Sequence, residues 1–407
     1  MVGELLKIKD KNNITPFLLF FFGLWGIQIV ILFVHIYDLK YYSRYFTIPY
    51  RFIFAIYCLM IVQRGRLYNK IYNNNVLIFV YIYYLLFVLR ILYDGFLSDK
   101  YMGTPWSVYL FKFLSFVVIP SIAFTAILNK ESVKKAMDGV KYSCIIFLIL
   151  GILVYKDKVV GDYRSLMYAE DVVSNELISP MIFSYIGFSL MGIVVWEMLY
   201  EKGGIKIGNI IFLFLALYGM FYGGTRNVFV AIPILFIYLF AQKAKTVKIF
   251  WYVSIFTILF LIAVFLVNNL IGSGVMNRFD ILYNEISRGD SDAGSMRLYI
   301  WDHGLSEFMK SPFFGSGIEV DVVKFVAHNM YLESLMSTGI VGGGLFILII
   351  IITLYNGREL LKKNTGLGWI VVLFVERLIT GMMSTSIFDP LFWLPVVAIN
   401  ANSRKIK

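Results

Sequence analysis

Residues 338–356 read TGIVGGGLFILIIIITLYN, nineteen positions without a charge. A helix needs about 20 apolar residues to cross the roughly 30 Å hydrocarbon core of a bilayer. The stretch therefore reads as a membrane span. Runs of the same character lie at 15–35, 47–62, 75–95, 107–128, 142–155, 178–200, 207–222, 227–241, 249–270, 368–385 and 387–400. They predict an all-α, polytopic protein of about twelve spans. The composition agrees: of 407 residues, 59% are hydrophobic and 15% charged, with a mean hydropathy of +0.76. Soluble domains carry about a quarter charged residues, so an ordinary soluble enzyme is excluded. The 37 Phe, 28 Tyr and 7 Trp exclude a disordered chain. The apolar runs are spread evenly, which predicts one membrane domain over residues 1–407.

The net charge of +11 does not point to nucleic acid, because the basic residues are scattered over many short loops. With a cytoplasmic N-terminus, the inside segments hold 21 of the 37 Lys and Arg and the outside segments 12. This positive-inside bias predicts both termini in the cytoplasm. The first span has no small-residue cleavage site after it and is expected to stay uncleaved. Cys58 and Cys144 fall in apolar runs, so no disulfide framework is expected. No metal-ligand spacing occurs, and neither a metal nor another cofactor is predicted.

One outside segment is long. Residues 271–327 form a loop far beyond the roughly 12–15 residues usual for a structureless connection. It carries an amphipathic helix signal at Leu298-Tyr299-Ile300-Trp301 with Leu305 and Phe308. Turn signals follow at Ser311-Pro312 and Gly315-Ser316-Gly317. The loop is expected to be partly helical and to cap the membrane domain. Its Asp290-Ser291-Asp292 resembles the Asp-x-Asp of metal-dependent sugar transferases, but three residues in an acidic loop are a weak pattern.

Four cations lie inside apolar runs. Arg51, Arg90 and Lys112 fall in the outer half of the predicted bilayer. Snorkelling to the interface accounts for any one of them, and an anionic ligand reached from outside accounts for all three. Arg377 falls near the predicted midplane, where an ionisable group is a functional candidate by default. A salt bridge to Glu197 on another helix is the structural alternative. Its neighbour Glu376 points about 100° away around the helix.

Further candidates face outside. Arg226 lies in Gly223-Gly224-Thr225-Arg226-Asn227, between the seventh and eighth runs, against the topology rule that explains most loop cations. Arg278 opens the long loop, and Arg297 follows Gly294-Ser295-Met296. A guanidinium grips phosphate oxygens with a planar fork. Of three histidines, His328 stands in Ala327-His328-Asn329-Met330-Tyr331-Leu332, where the loop meets the next helix. An imidazole there suits general-base work. Glu333 is a fallback base. Tyr331 either stacks on a sugar or is one of the tyrosines common at membrane interfaces.

Three of these segments, in order, resemble the O-antigen polymerase and O-antigen ligase superfamily. They are Gly223–Asn227 at a helix start, then Ser295–Trp301 with Ser311–Gly317, then Ala327–Leu332 followed by Gly339-Ile340-Val341-Gly342. The resemblance covers roughly residues 160–356. It implies a GT-C-like bundle and a glycosyltransferase of the bacterial inner membrane with its site facing the periplasm. The donor would be a glycan on undecaprenyl pyrophosphate. A polymerase moves it to the next lipid-linked repeat unit, and a ligase moves it to lipid A–core. The functional positions it implies are Arg226, Arg297 and His328. Arg278, Arg51, Arg90, Lys112 and Arg377 are further candidates for pyrophosphate or glycan contacts. Implied partners are lipid-linked oligosaccharides, membrane lipids, a chain-length regulator and a flippase. A polysaccharide flippase is itself the rival reading, but it would need polar residues through several spans, and only Arg377, Glu376 and Glu197 meet that.

Overall fold

A computed structural model describes residues 14–36, 43–65, 74–98, 101–126, 128–155, 180–200, 206–243, 294–363 and 366–403. Most of these residues are helical, with one isolated bridge between Val320 and Phe325. In chain order, α1 runs through Thr15–Phe21, a π-helical turn at Phe22–Gly26, and Ile27–Ile36. Next come α2 (Ser43–Gly65), α3 (Asn75–Phe96), and α4, which runs through Trp106–Phe113, Leu114–Val118 and Ile119–Phe124. They are followed by α5 (Lys130–Tyr155), α6 (Pro180–Tyr200), α7 (Ile207–Gly223) and α8 (Arg226–Lys243). The last four are α9 (Gly294–Lys310), α10 (Met330–Lys362), α11 (Gly368–Thr380) and α12 (Pro390–Ser403).

Seven of these helices are long and apolar enough to cross a membrane: α1 to α6 and α10. Two shorter apolar helices overlap α7 and α8, while α11 and α12 have 13 and 14 residues. The predicted span at 249–270 lies outside the described residues. The surface supports a lipid setting. Phe52, Ile53, Leu85, Ile211, Phe214 and Ile351 each expose more than half of their surface. A belt of that kind would drive aggregation in water and is what lipid tails cover. The protein is a polytopic membrane protein.

The core is aromatic. Tyr84 and Phe87 of α3, Phe113 of α4 and Trp393 of α12 pack with ring centroids about 5 Å apart. Two polar clusters mark the ends of the bundle. At one end, Asn74 before α3 donates to the Asn400 carbonyl of α12 at 2.9 Å, and the Leu128 amide donates to Asn402 Oδ1 at 2.9 Å. At the other end sit α9 and the segment 311–329, and this α9 end carries the candidate site. Lys141 of α5 pairs with Glu197 of α6 at 2.8 Å. The salt-bridge alternative for Arg377 is met by Asp389. Cys58 and Cys144 are buried and unbonded.

The segment 271–327 is partly helical where it is described, since α9 falls within it. The packing face differs from expectation. Ile300 and Phe308 pack with Val320, Ala327 and Met336, and Gly304 faces Leu332 and Met336. Leu298 and Leu305 point away, 63% and 50% exposed. The inward face is therefore Ile300-Trp301-Gly304-Phe308, at helical spacing.

The segment 311–317 is stitched to a break in α10. Gly339 adopts φ 64°, ψ −163°, a conformation reached almost only by glycine. The break frees backbone groups that lipid could not satisfy. Ile340 N–H donates to the Pro312 carbonyl at 2.7 Å and Val341 N–H to the Phe313 carbonyl at 3.3 Å. In return, Ser316 N–H donates to the Met336 carbonyl at 2.7 Å. Gly315 also has positive φ, and a Cβ there would meet the Met336 carbonyl at 2.5 Å. The predicted span start at residue 338 thus coincides with the break, and the helix itself begins eight residues earlier, at Met330. In Gly339→Ala, a Cβ would lie 2.2 Å from the Phe313 carbonyl oxygen. The strained backbone alone costs about 1–3 kcal/mol. The variant should lose thermal stability in detergent, and an unchanged melting temperature would contradict the stitch.

Candidate functional site

The site is built around the start of α10. Asn329 caps the helix, its Oδ1 accepting from Tyr331 N–H at 3.1 Å and Leu332 N–H at 3.2 Å. His328, just before the cap, takes φ 53°, unusual for a residue with a side chain. Glu333 holds that turn from below. One of its oxygens accepts the His328 N–H at 2.9 Å. The other accepts the Ile387 N–H at 2.9 Å and the Ser386 hydroxyl. With 3% of its surface exposed, Glu333 ties the histidine turn to the connection between α11 and α12. Its carboxylate thus positions the His328 turn.

Arg297 reaches the same place from α9. Trp301 Nε1 donates to the Ala327 carbonyl at 3.1 Å. Arg297 stands one turn before Trp301, so this anchor brings the exposed guanidinium toward His328. The outer edge of His328 is accessible, while protein mass crowds its inner side and the Phe325 ring lies 5.1 Å away. That burial, together with the Arg297 charge, holds the imidazole below its ordinary value. His328 is therefore neutral near pH 7, which is the state a proton acceptor needs. His303 instead bonds the Tyr299 carbonyl of its own helix at 2.9 Å.

Arg226 is the first residue of α8, and its side chain lies outside the described part. Its neighbours fix where α8 starts. Thr225 N–H donates to Ser184 Oγ of α6 at 3.1 Å, and Asn227 Nδ2 donates to Ser384 Oγ. Ser384 belongs to the connection that Glu333 grips. The starts of α8 and α10 therefore share one end and one loop. Arg278 and Asp290-Ser291-Asp292 lie outside the described residues.

Arg377 lies near the C-terminal end of α11. α11 ends at Thr380 rather than 385, because residues 381–389 turn away, and Arg377 occupies its last turn at the α9 end. It is 3% exposed and stacks over Trp25 and Tyr185, at 4.9 and 5.0 Å from their ring centroids. Its Nη1 pairs with Asp389 Oδ2 at 3.8 Å, and its Nη2 has no hydrogen-bond partner among the described residues. Glu376 turns elsewhere and accepts the Ser189 hydroxyl at 2.8 Å.

Two other candidates are tied into the fold. Arg90 Nη1 donates to the Gly315 carbonyl at 3.0 Å, and Nη2 pairs with Asp94 at 2.8 Å. Asp94 in turn accepts the Ile318 N–H at 3.0 Å, so this pair clamps α3 to the stitched segment. Tyr331 spends its hydroxyl on the Leu378 carbonyl at 2.7 Å. Arg51 and Lys112 are brought together, but in a separate cavity.

Residues 211–347 match the O-antigen ligase family model. The match supports a place for this segment in the O-antigen ligase and polymerase superfamily. No curated protein matches the chain. The superfamily segment contains Arg226, Arg297 and His328, and excludes Arg51, Lys112 and Arg377. Its presence supports an O-antigen ligase or polymerase type of function and a glycosyltransferase-like enzyme. Sequence reasoning missed Asp389, Ser384 and Ser386, which complete the surroundings of Arg377, Asn227 and Glu333. The one available signal was Asp389-Pro390, an acidic residue before a proline at a helix start.

Proposed function

We propose that the protein is a surface-polysaccharide polymerase of the bacterial inner membrane. In this reading it is a twelve-span, GT-C-like bundle with cytoplasmic termini and its α9 end in the periplasm. It transfers the growing glycan from undecaprenyl pyrophosphate to the non-reducing-end hydroxyl of the next lipid-linked repeat unit. The observation that carries the reading is the meeting of the Arg297 charge with His328 inside the superfamily segment.

The chemistry follows from that pairing. Breaking the bond between the anomeric carbon and the pyrophosphate oxygen leaves the electron pair on the leaving group. Fixed guanidinium groups stabilise that developing charge. Arg297 and Arg226 take this role, and buried Arg377 adds positive charge beside them. The acceptor hydroxyl oxygen forms the new bond to the anomeric carbon, and its proton passes to neutral His328. A chain-length regulator and a flippase are the partners this reading implies.

The ligase reading has one observation in its favour, since the matched family carries the ligase description. Deleting the gene and resolving the cell's lipopolysaccharide on a gel separates the readings. A polymerase leaves core with a single repeat unit. A ligase leaves bare core with polymer held on the lipid carrier. An unchanged ladder points to another surface glycan or to the transporter reading. Arg297→Ala, reintroduced into the deletion strain, should give no polymer at normal protein level. A retained ladder would remove Arg297 from the mechanism.

A further inference from the structure

At the α9 end, α2 and α4, which lie outside the superfamily segment, enclose with Phe325 a cavity of about 480 Å³. Three cations line it. Arg44 and Arg51 come from one face of α2, seven residues apart, and Lys112 comes from α4. None of its lining residues is acidic among the described residues. Glu319 stands directly behind the cavity wall and is not itself a lining residue. It accepts the Gly103 N–H at 2.7 Å, the Thr104 N–H at 3.0 Å and the Tyr109 hydroxyl at 2.7 Å. These bonds hold the turn before α4 in place, and with it Thr104 and Ser107 at the cavity wall. The start of α4 has no side-chain cap, so its first amides add positive potential to the same wall.

Arg51 is held rigidly. It is 7% exposed and lies 4.6 Å above the Phe116 ring. A buried arginine, a half-buried lysine and an exposed arginine around one polar cavity form a graded anion site. Its rim is apolar and outward-facing: Ile48 and Val108 line the cavity and are 45% and 37% exposed. Phe52, one residue after Arg51, is 59% exposed. A phosphate carried on a lipid can therefore enter with its chain still in the bilayer. Phe325 lines the cavity and packs its ring 5.1 Å from that of His328. A molecule anchored here by its phosphate lies one aromatic ring from the proposed base.

We infer that the Arg44–Arg51–Lys112 cavity binds the phosphate group of a membrane lipid, separately from the Arg297–His328 site. Resting on the polymerase reading, that group is the pyrophosphate of the acceptor lipid. A polymerase handles two pyrophosphate-linked substrates at once and needs a second such site.

The test is equilibrium binding to the full chain in neutral detergent, with farnesyl pyrophosphate and phosphatidylglycerol as probes and phosphatidylcholine as control. The variant is Arg44→Gln/Lys112→Gln, which leaves the buried Arg51 in place so that the fold is kept. The wild type should bind two equivalents of farnesyl pyrophosphate. The double variant should weaken one of them about tenfold or more, and Arg297→Ala should weaken the other. Arg51→Lys keeps the charge and should fall between wild type and the double variant. If phosphatidylglycerol, but not phosphatidylcholine, competes for the event lost in the double variant, the site stands and its occupant is a glycerophospholipid headgroup. Wild-type binding of both probes by the double variant overturns the inference, whatever Arg297→Ala does. An effect of the double variant without one of Arg297→Ala overturns the Arg297 site and leaves this one standing.

Discussion

His328→Ala is expected to abolish polymer formation, with a loss of about 10²- to 10⁴-fold in turnover, the range for removing a general base. The protein should still fold, because the side chain is exposed at its outer edge and its ring contact is with Phe325. One complication is the backbone. Alanine at φ 53° costs about 1–2 kcal/mol, whereas asparagine tolerates that conformation. His328→Asn is therefore the sharper variant, keeping the turn and removing the base. Equal inactivity of both variants at wild-type melting temperature assigns the loss to chemistry. An active His328→Asn would remove the base from the mechanism.

The same residue sets a pH dependence. Burial and the Arg297 charge depress its pKa below the usual histidine value. The neutral, proton-accepting form is then present at neutral pH and is lost as pH falls through the depressed value. Activity should fall on the acid side, and the His328 titration limb, followed by NMR because Arg297→Ala makes no polymer, should move upward in that variant. A limb that does not move would separate the two residues.

Glu333→Ala should have the largest effect on stability. The carboxylate accepts from three donors in a site where it is 3% exposed. Alanine leaves those donors buried without an acceptor, at about 1–3 kcal/mol each. The variant should lose several degrees of melting temperature, or accumulate poorly. Glu333→Gln keeps the volume but turns an amide N–H₂ toward donors on one side. It should accumulate well and lower kcat with KM nearly unchanged, because the histidine is misplaced and not removed. A Glu333→Gln variant with wild-type kcat would show that the turn holds itself.

The helices were legible because apolar length is a strong signal, and eleven of the twelve apolar runs overlap described helices. What the pattern hid was where helices break and stop. The turn from Met330 to Thr338 carries Glu333, Ser334, Ser337 and Thr338, and reads as too polar for a span. It is nonetheless helical and buried, because the stitched segment covers it. The residues after Thr380 read as apolar, yet they leave the helix, which puts Arg377 in the last turn of α11. Hydropathy records what a residue avoids and not what it binds. The partnerships that sort the cations are remote in sequence: Arg90 meets Gly315 across 225 positions, and Glu319 meets Gly103 across 216. Arg51 and Lys112 were singled out as charges in apolar runs, but only packing shows that they share a cavity and that Arg90 does not.

The most direct test of the account is reconstitution of the purified full chain in liposomes with undecaprenyl-pyrophosphate-linked repeat units as the sole substrate, in the presence of a metal chelator. The account predicts a ladder of longer glycans still attached to undecaprenyl pyrophosphate, absent in Arg297→Ala and His328→Asn. No extension until lipid A–core is added, followed by transfer to it, would contradict the polymerase reading and make the protein a ligase.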